Sequence, residues 1–115
     1  MKVTKIIQVL ENTNDYHVVF VYKHGNVTIE RAAYMALVTL KNDNGTESEE
    51  MLPMVHSSEG YLYVCHSGMR KYAGIARPGD DALFIAEVSP LAGDAYDAWL
   101  EREGITKLIV PGGGR

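Results

Sequence analysis

The segment from His17 to Lys23 constrains the fold more than any other part of the chain. It reads His-Val-Val-Phe-Val-Tyr-Lys, so β-branched and aromatic residues, which favour strands, follow one another without polar alternation. Because successive side chains of a strand point to opposite faces, this run needs apolar cover on both sides of its sheet. The sequence therefore predicts a central strand in a layered structure.

A chain of 115 residues is long enough to supply that cover within one domain. We expect a single domain over residues 1–110 and a flexible glycine-rich tail over residues 111–115. The segment Val3–Leu10 is rich in β-branched and aliphatic residues and predicts a further strand. Turn formers fill residues 11–15, so we expect these first two strands to pair as an antiparallel hairpin.

Residues 29–41 allow two interpretations. Apolar residues recur there at offsets of three and four, which is typical of an amphipathic helix. The alternative is a strand that ends in Leu-Val-Thr-Leu and turns at residues 42–45, where Asn-Asp-Asn-Gly is a good hairpin signal. The segment is long for one strand and rich in alanine, so the helix is the preferred prediction.

A second hairpin is predicted further along the chain. Met51–His56 and Tyr61–His66 have strand character and flank the turn formers of residues 57–60. Pro53 cannot donate a backbone hydrogen bond, so it indicates an edge position or a bulge.

The C-terminal part predicts a β-α-β unit over residues 82–110. Ala82–Val88 has strand character, Ser89 and Gly104 bracket a helical pattern, and residues 105–110 again have strand character. With these elements the predicted fold class is α+β: a mixed, mostly antiparallel sheet of five or six strands with two helices.

Composition excludes several classes of protein. Fifteen acidic residues against eleven basic ones give a net charge of −4, which argues against nucleic-acid binding. No apolar run approaches the roughly 20 residues of a membrane-spanning helix, and no apolar leader follows Lys2 and Lys5. The single cysteine, Cys65, excludes an intrachain disulfide and suits a reducing compartment. We therefore expect a soluble cytoplasmic protein without a membrane partner.

Potential metal and phosphate ligands show no recognisable spacing. The sequence has no CxxC, HxxxH or HExxH pattern, and the adjacent Cys65 and His66 point to opposite faces of a strand. The glycines match no phosphate-loop fingerprint. We expect neither a metal site nor a cofactor.

An enzymatic function is one alternative. In a small hydrolase or transferase, His56 or His66 would be the general base, Asp80 or Asp81 would orient it, and Cys65 would be the nucleophile. The context Tyr-Leu-Tyr-Val-Cys is typical of a packed strand, so a structural role for Cys65 is the better prediction.

Positive charge is concentrated between residues 67 and 77, which hold three of the eleven basic residues. Tyrosine rings nearby supply stacking area, while guanidinium and ammonium groups complement an anion. The leading hypothesis is a small binding or interaction module for an anionic or aromatic ligand. Its candidate ligand-binding residues are Tyr61, Tyr63, Arg70, Lys71, Tyr72 and Arg77.

Two predictions concern protein partners. Seven tyrosines against two phenylalanines, with methionines at positions 35, 51, 54 and 69, indicate an adaptable apolar surface. We expect a homo-oligomer, most simply a dimer, that shields one face of the sheet. A further alternative is an acidic inhibitor-type protein that docks on a basic partner through residues 42–59 and 78–101.

Overall fold

The computed structural model describes residues 1–22, 27–69, 71–87 and 107–112. Within these segments lie seven strands and one helix of six residues. The elements are β1 (Lys2–Glu11), β2 (His17–Val21), β3 (Val27–Arg31), β4 (Tyr34–Lys41), β5 (Glu47–His56), β6 (Leu62–Val64), β7 (Tyr72–Ala76) and α1 (Ala82–Glu87). The strands form two antiparallel sheets, in the orders β1-β4-β5-β6 and β3-β2-β7. The α+β prediction of one mixed sheet with two helices is therefore wrong, because the described chain is mostly β.

The central strand is confirmed. β2 lies between β3 and β7, and all its residues are buried. On one face, Val18 and Phe20 pack with Val55 of the four-stranded sheet. On the other face, Val19 packs with Leu83 of α1. The unbroken apolar run thus serves two cores, as its lack of alternation requires.

The predicted hairpin between the first two strands is wrong. β1 pairs with β4 instead, from Lys2 opposite Lys41 to Glu11 opposite Tyr34. The residues that follow β1 carry the chain into the other sheet, and the buried Asn12 holds this crossing in place. Its Nδ2 donates to the carbonyls of Tyr16 (2.9 Å) and Ala32 (2.8 Å), and its Oδ1 accepts from the Tyr16 amide (2.8 Å).

The helix predicted over residues 29–41 is wrong, and the alternative hairpin is confirmed. The segment holds parts of two strands, β3 and β4, which belong to different sheets. The chain crosses between the sheets at Ala32 and Ala33, whose amides donate to the carbonyls of Tyr16 and Met54 (3.0 and 2.8 Å). β4 then turns into β5 at residues 42–46, where Gly45 has a φ of +87°. Residues 29–41 are long for one strand because they belong to two strands.

The second hairpin is confirmed, with a shorter second strand. β5 pairs with β6 from Met54 opposite Val64 to His56 opposite Leu62. β5 is an interior strand, yet Pro53 lies just beyond the last paired residue of β6. Its carbonyl accepts from the Cys65 amide on the β6 side (2.9 Å), and because the N–H and C=O of a strand residue face the same neighbour, the missing N–H of Pro53 costs no bond to β4.

The strand predicted over residues 82–88 is wrong, because Ala82–Glu87 form α1. The Asp81 carboxylate caps this helix, with Oδ1 accepting from the amides of Leu83 and Leu108 (both 3.0 Å). Ile109 forms only an isolated bridge with Asp81, so a β-α-β unit beginning at residue 82 is wrong as well. The helix predicted over residues 89–104 lies outside the described residues.

The predicted tail is described only at Pro111 and Gly112, which are both exposed. In the parts of the chain that the structure describes, no helix is long and apolar enough to cross a membrane.

Candidate functional site

A groove of about 760 Å³ lies between the three-stranded sheet and the β5–β6 hairpin. Its volume is within the range of roughly 300–1,000 Å³ that is usual for small-molecule sites. The lining residues are Tyr22, Glu30, His56, Ser57, Ser58, Tyr61, Tyr63, Met69 and Lys71. Three of the predicted ligand-binding residues, Tyr61, Tyr63 and Lys71, are therefore neighbours here, together with the candidate base His56.

Lys71 is held among aromatic rings. Its Nζ lies 5.0 Å from the ring centre of Phe20, 5.8 Å from that of Tyr22 and 5.4 Å from that of Tyr63. A cation within about 6 Å of a ring face is attracted by the ring quadrupole. A hydrogen bond with the Tyr63 side chain raises the pKa of Lys71, and the influence of nearby Tyr22 acts in the same direction. The groove therefore contains a positioned ammonium group at neutral pH.

Two tyrosines of the β5–β6 hairpin, Tyr61 and Tyr63, also line the groove. Tyr61 and Tyr63 lie two residues apart and on the same face, with ring centres 6.4 Å apart and ring planes tilted by 60°. Tyr63 is half-buried against the apolar core, whereas Tyr61 is 60% exposed. Tyr61 therefore offers an exposed aromatic ring in the same groove as the Lys71 ammonium.

Five lining residues were not predicted from the sequence: Tyr22, Glu30, Ser57, Ser58 and Met69. Ser57 and Ser58 belong to the predicted turn that leads to Tyr61, so their place near Tyr61 could have been inferred from the sequence. Tyr22 follows β2 and Glu30 lies on β3, so both belong to the three-stranded side of the groove. Their presence there depends on how the two sheets pack. No local pattern distinguishes them.

The other predicted ligand-binding residues lie elsewhere. Tyr72 opposes Phe20 across β2 and β7 and packs into the core between the sheets, where burial raises its pKa to about 12. The Arg77 guanidinium lies 5.8 Å from the ring centre of Tyr16, outside the groove. Arg70 lies outside the described residues.

Cys65 is placed as a core residue. It is 0% exposed and packs with Val18, Phe20 and Val55. Burial raises the pKa of its thiol to about 12, so the thiolate that a nucleophile requires is disfavoured at neutral pH.

The remaining catalytic candidates do not meet at the groove. Asp80 Oδ2 accepts from the Arg77 amide (2.8 Å), and Asp81 caps α1. The ring of His66 is half-buried, and its Nδ1 lies 3.1 Å from the Gly68 amide. Burial lowers the pKa of His66. His56 is the one catalytic candidate among the described lining residues.

The acidic segments of the inhibitor alternative are described only in part. Glu47, Glu49 and Glu50 on β5 are exposed, and Asp43 pairs with the N-terminal ammonium. Most of residues 78–101 lie outside the described part of the chain. Across the described segments, no three His, Cys, Asp or Glu side chains come together as a metal site.

Comparison with known proteins assigns nothing to this groove: no protein family, curated protein or solved structure matches the chain.

Proposed function

We propose that the chain is a small binding module that holds a ligand with an aromatic ring and an anionic group in this groove. The observation that carries the proposal is the Lys71 ammonium, which lies among three aromatic rings in the groove that the exposed Tyr61 also lines. The ligand ring stacks on Tyr61, and its carboxylate or phosphate accepts from Lys71 Nζ.

The donor capacity of Lys71 supports this assignment. An ammonium group has three N–H donors and no acceptor, so it is suited to bind an anion. Among the described residues no carboxylate forms an ion pair with Lys71. An anionic ligand would supply the missing counter-charge and the missing acceptors.

The restricted side chain of Lys71 is a second argument for an anion site. Immobilising a free lysine side chain costs about 1.5–2 kcal/mol of rotamer entropy. The surrounding rings already restrict Lys71, so less of this entropy is lost when an anion arrives.

The test is a thermal-shift and calorimetric titration with phenylalanine, 3-phenylpropionate and phenyl phosphate. A bound probe at a hundred times its Kd stabilises the fold by about 2.7 kcal/mol, which raises the Tm by several degrees. Lys71→Met keeps the apolar stem and removes the charge, so it should abolish the shift. Tyr61→Ala should weaken it.

Arg77→Met is the matched control, because it removes a basic group outside the groove. It should bind the probes like the unaltered protein. Failure of every probe to bind, or binding that survives Lys71→Met, would overturn the proposal.

We also propose that the chain forms a homodimer through β1. This strand has ten residues and an outer edge that pairs with nothing in the described segments. Ile6, Ile7 and Val9 are 47%, 41% and 49% exposed on it. Antiparallel pairing of two copies brings these side chains together at the centre and draws Lys2 of one strand toward Glu11 of the other.

Sedimentation across a dilution series tests the dimer. Ile6→Glu places two carboxylates at the centre of the pair and should give a monomer. Phe84→Glu changes a side chain on α1 that is more exposed still, and it should leave the dimer intact. A protein that is monomeric at every concentration, or an Ile6→Glu variant that still dimerises, would refute the β1 interface.

The cytoplasm is the proposed location. Cys65 is a free, buried thiol, which persists in a reducing compartment. Fractionation of cells that express the chain should place it in the cytosol, and recovery from a secreted or membrane fraction would contradict this.

A further inference from the structure

Glu30 gives the groove a second charge, opposite in sign to that of Lys71. The two side chains reach it from opposite sides of β2, Glu30 from β3 and Lys71 from the residue before β7. Neither forms an ion pair with another described residue, nor do they pair with each other. The groove therefore has one anchor for an anion and another for a cation.

The pKa of the Cys65 thiol is affected by both anchors. Burial is the main reason for the raised pKa of its thiol, but Lys71 lowers that pKa and Glu30 raises it. Both charges therefore act on the same buried sulfur, which belongs to the apolar cluster against which the groove residue Tyr63 packs.

We infer that the ligand of this groove is an aromatic zwitterion, such as a free aromatic amino acid. The inference rests on the proposed function and names its ligand class. The ligand carboxylate accepts from Lys71, its ammonium donates to Glu30, and its ring stacks on Tyr61. The hydroxyls of Ser57 and Ser58 border the same groove and are available to the polar groups of the ligand.

The charges make the groove selective. An aromatic carboxylate is attracted by Lys71 but repelled by Glu30, and an aromatic amine experiences the reverse. Glu30 is exposed and Lys71 is half-buried, so neither charge needs a partner to remain ionised, but only a ligand that carries both charges is attracted by both. A charge-assisted hydrogen bond contributes enough to change affinity by about tenfold or more.

The experiment compares three compounds that share one ring and differ only in charged groups. Phenylalanine carries both groups, 3-phenylpropionate lacks the amine, and phenethylamine lacks the carboxylate. Calorimetry should show that phenylalanine binds about tenfold or more tightly than either relative. Glu30→Gln should remove the preference over 3-phenylpropionate while that compound still binds. Glu47→Gln, an exposed carboxylate outside the groove, should keep the preference.

Each negative result of this experiment contradicts a different part of the proposal. Equal affinity for phenylalanine and 3-phenylpropionate overturns the zwitterion and leaves the anion site standing. A preference that persists in Glu30→Gln overturns the role of that carboxylate and hence the inference. Absence of binding by all three compounds overturns the inference, and with phenyl phosphate also silent it overturns the proposed function.

Discussion

Replacement of Asn12 by alanine should destabilise the protein more than any other single asparagine substitution in the described turns. Asn12 is buried where the chain leaves β1 for the other sheet. Its side chain makes three hydrogen bonds to backbone groups of Tyr16 and Ala32. Without it the Tyr16 amide loses its acceptor inside a region that water reaches poorly.

The magnitude follows from these three bonds. Each contributes about 1 kcal/mol net, so Asn12→Ala should lower the free energy of unfolding by about 3 kcal/mol. For a domain of this length the Tm should fall by roughly 10 °C. The protein should still fold, because domains of this kind are commonly stable by about 5–15 kcal/mol.

Urea denaturation followed by circular dichroism measures the effect. Asn14→Ala is the matched control, because Asn14 is exposed in the same turn, and its substitution should change stability by less than about 0.5 kcal/mol. If Asn12→Ala costs no more than this control, the side chain does not hold the crossing, and the reasoning from buried hydrogen bonds fails.

Three further predictions test the elements around the core. Asp81→Ala should cost about 2 kcal/mol in urea denaturation, since the amides of Leu83 and Leu108 lose their acceptor. Asp81→Asn keeps an oxygen acceptor and should cost less, so equal losses would argue against the cap. Burial raises the pKa values of Cys65 and Tyr72 to about 12, so the unfolded chain releases these protons first and stability should fall as the pH rises from about 9 toward 12. Tyr72→Phe should flatten that decline, and an unchanged slope would contradict the assignment. Iodoacetamide should modify Cys65 only as fast as the fold opens, and immediate labelling of the native protein would contradict its burial.

Local chemistry explains the predictions that are confirmed. The hairpin around residues 57–60 depends on turn formers between two short apolar runs, and both partners lie within a few residues of the turn. The run in β2 needs no partner to be recognised, because consecutive buried side chains of strand-forming type have few other uses. These features can be read one segment at a time.

The wrong predictions all concern segments whose structure depends on contacts with distant parts of the chain. Alanines at helical spacing in residues 29–41 are small residues at a crossing between sheets, and local propensity favours a helix there by less than packing favours two strands. Local propensity is also misleading at Ala82–Glu87. This apolar run is typical of a strand, but it forms a helix that Asp81 caps and that packs against β2. A methionine surface was also expected, yet Met35 and Met54 are core residues.

The buried central strand and the β5–β6 hairpin could be predicted from the residues alone, and Tyr61, Tyr63 and Lys71 could be named as candidate ligand-binding residues. These depend on side-chain type and on neighbours close in the chain. The pairing of β1 with β4 follows from the packing of the whole chain, and so do the presence of Tyr22 and Glu30 in the groove and the absence of Tyr72 and Arg77 from it. These contacts form between side chains that are far apart in the sequence and that meet only when the two sheets pack. No local sequence pattern records such a meeting, because burial and charge act through space and not along the chain.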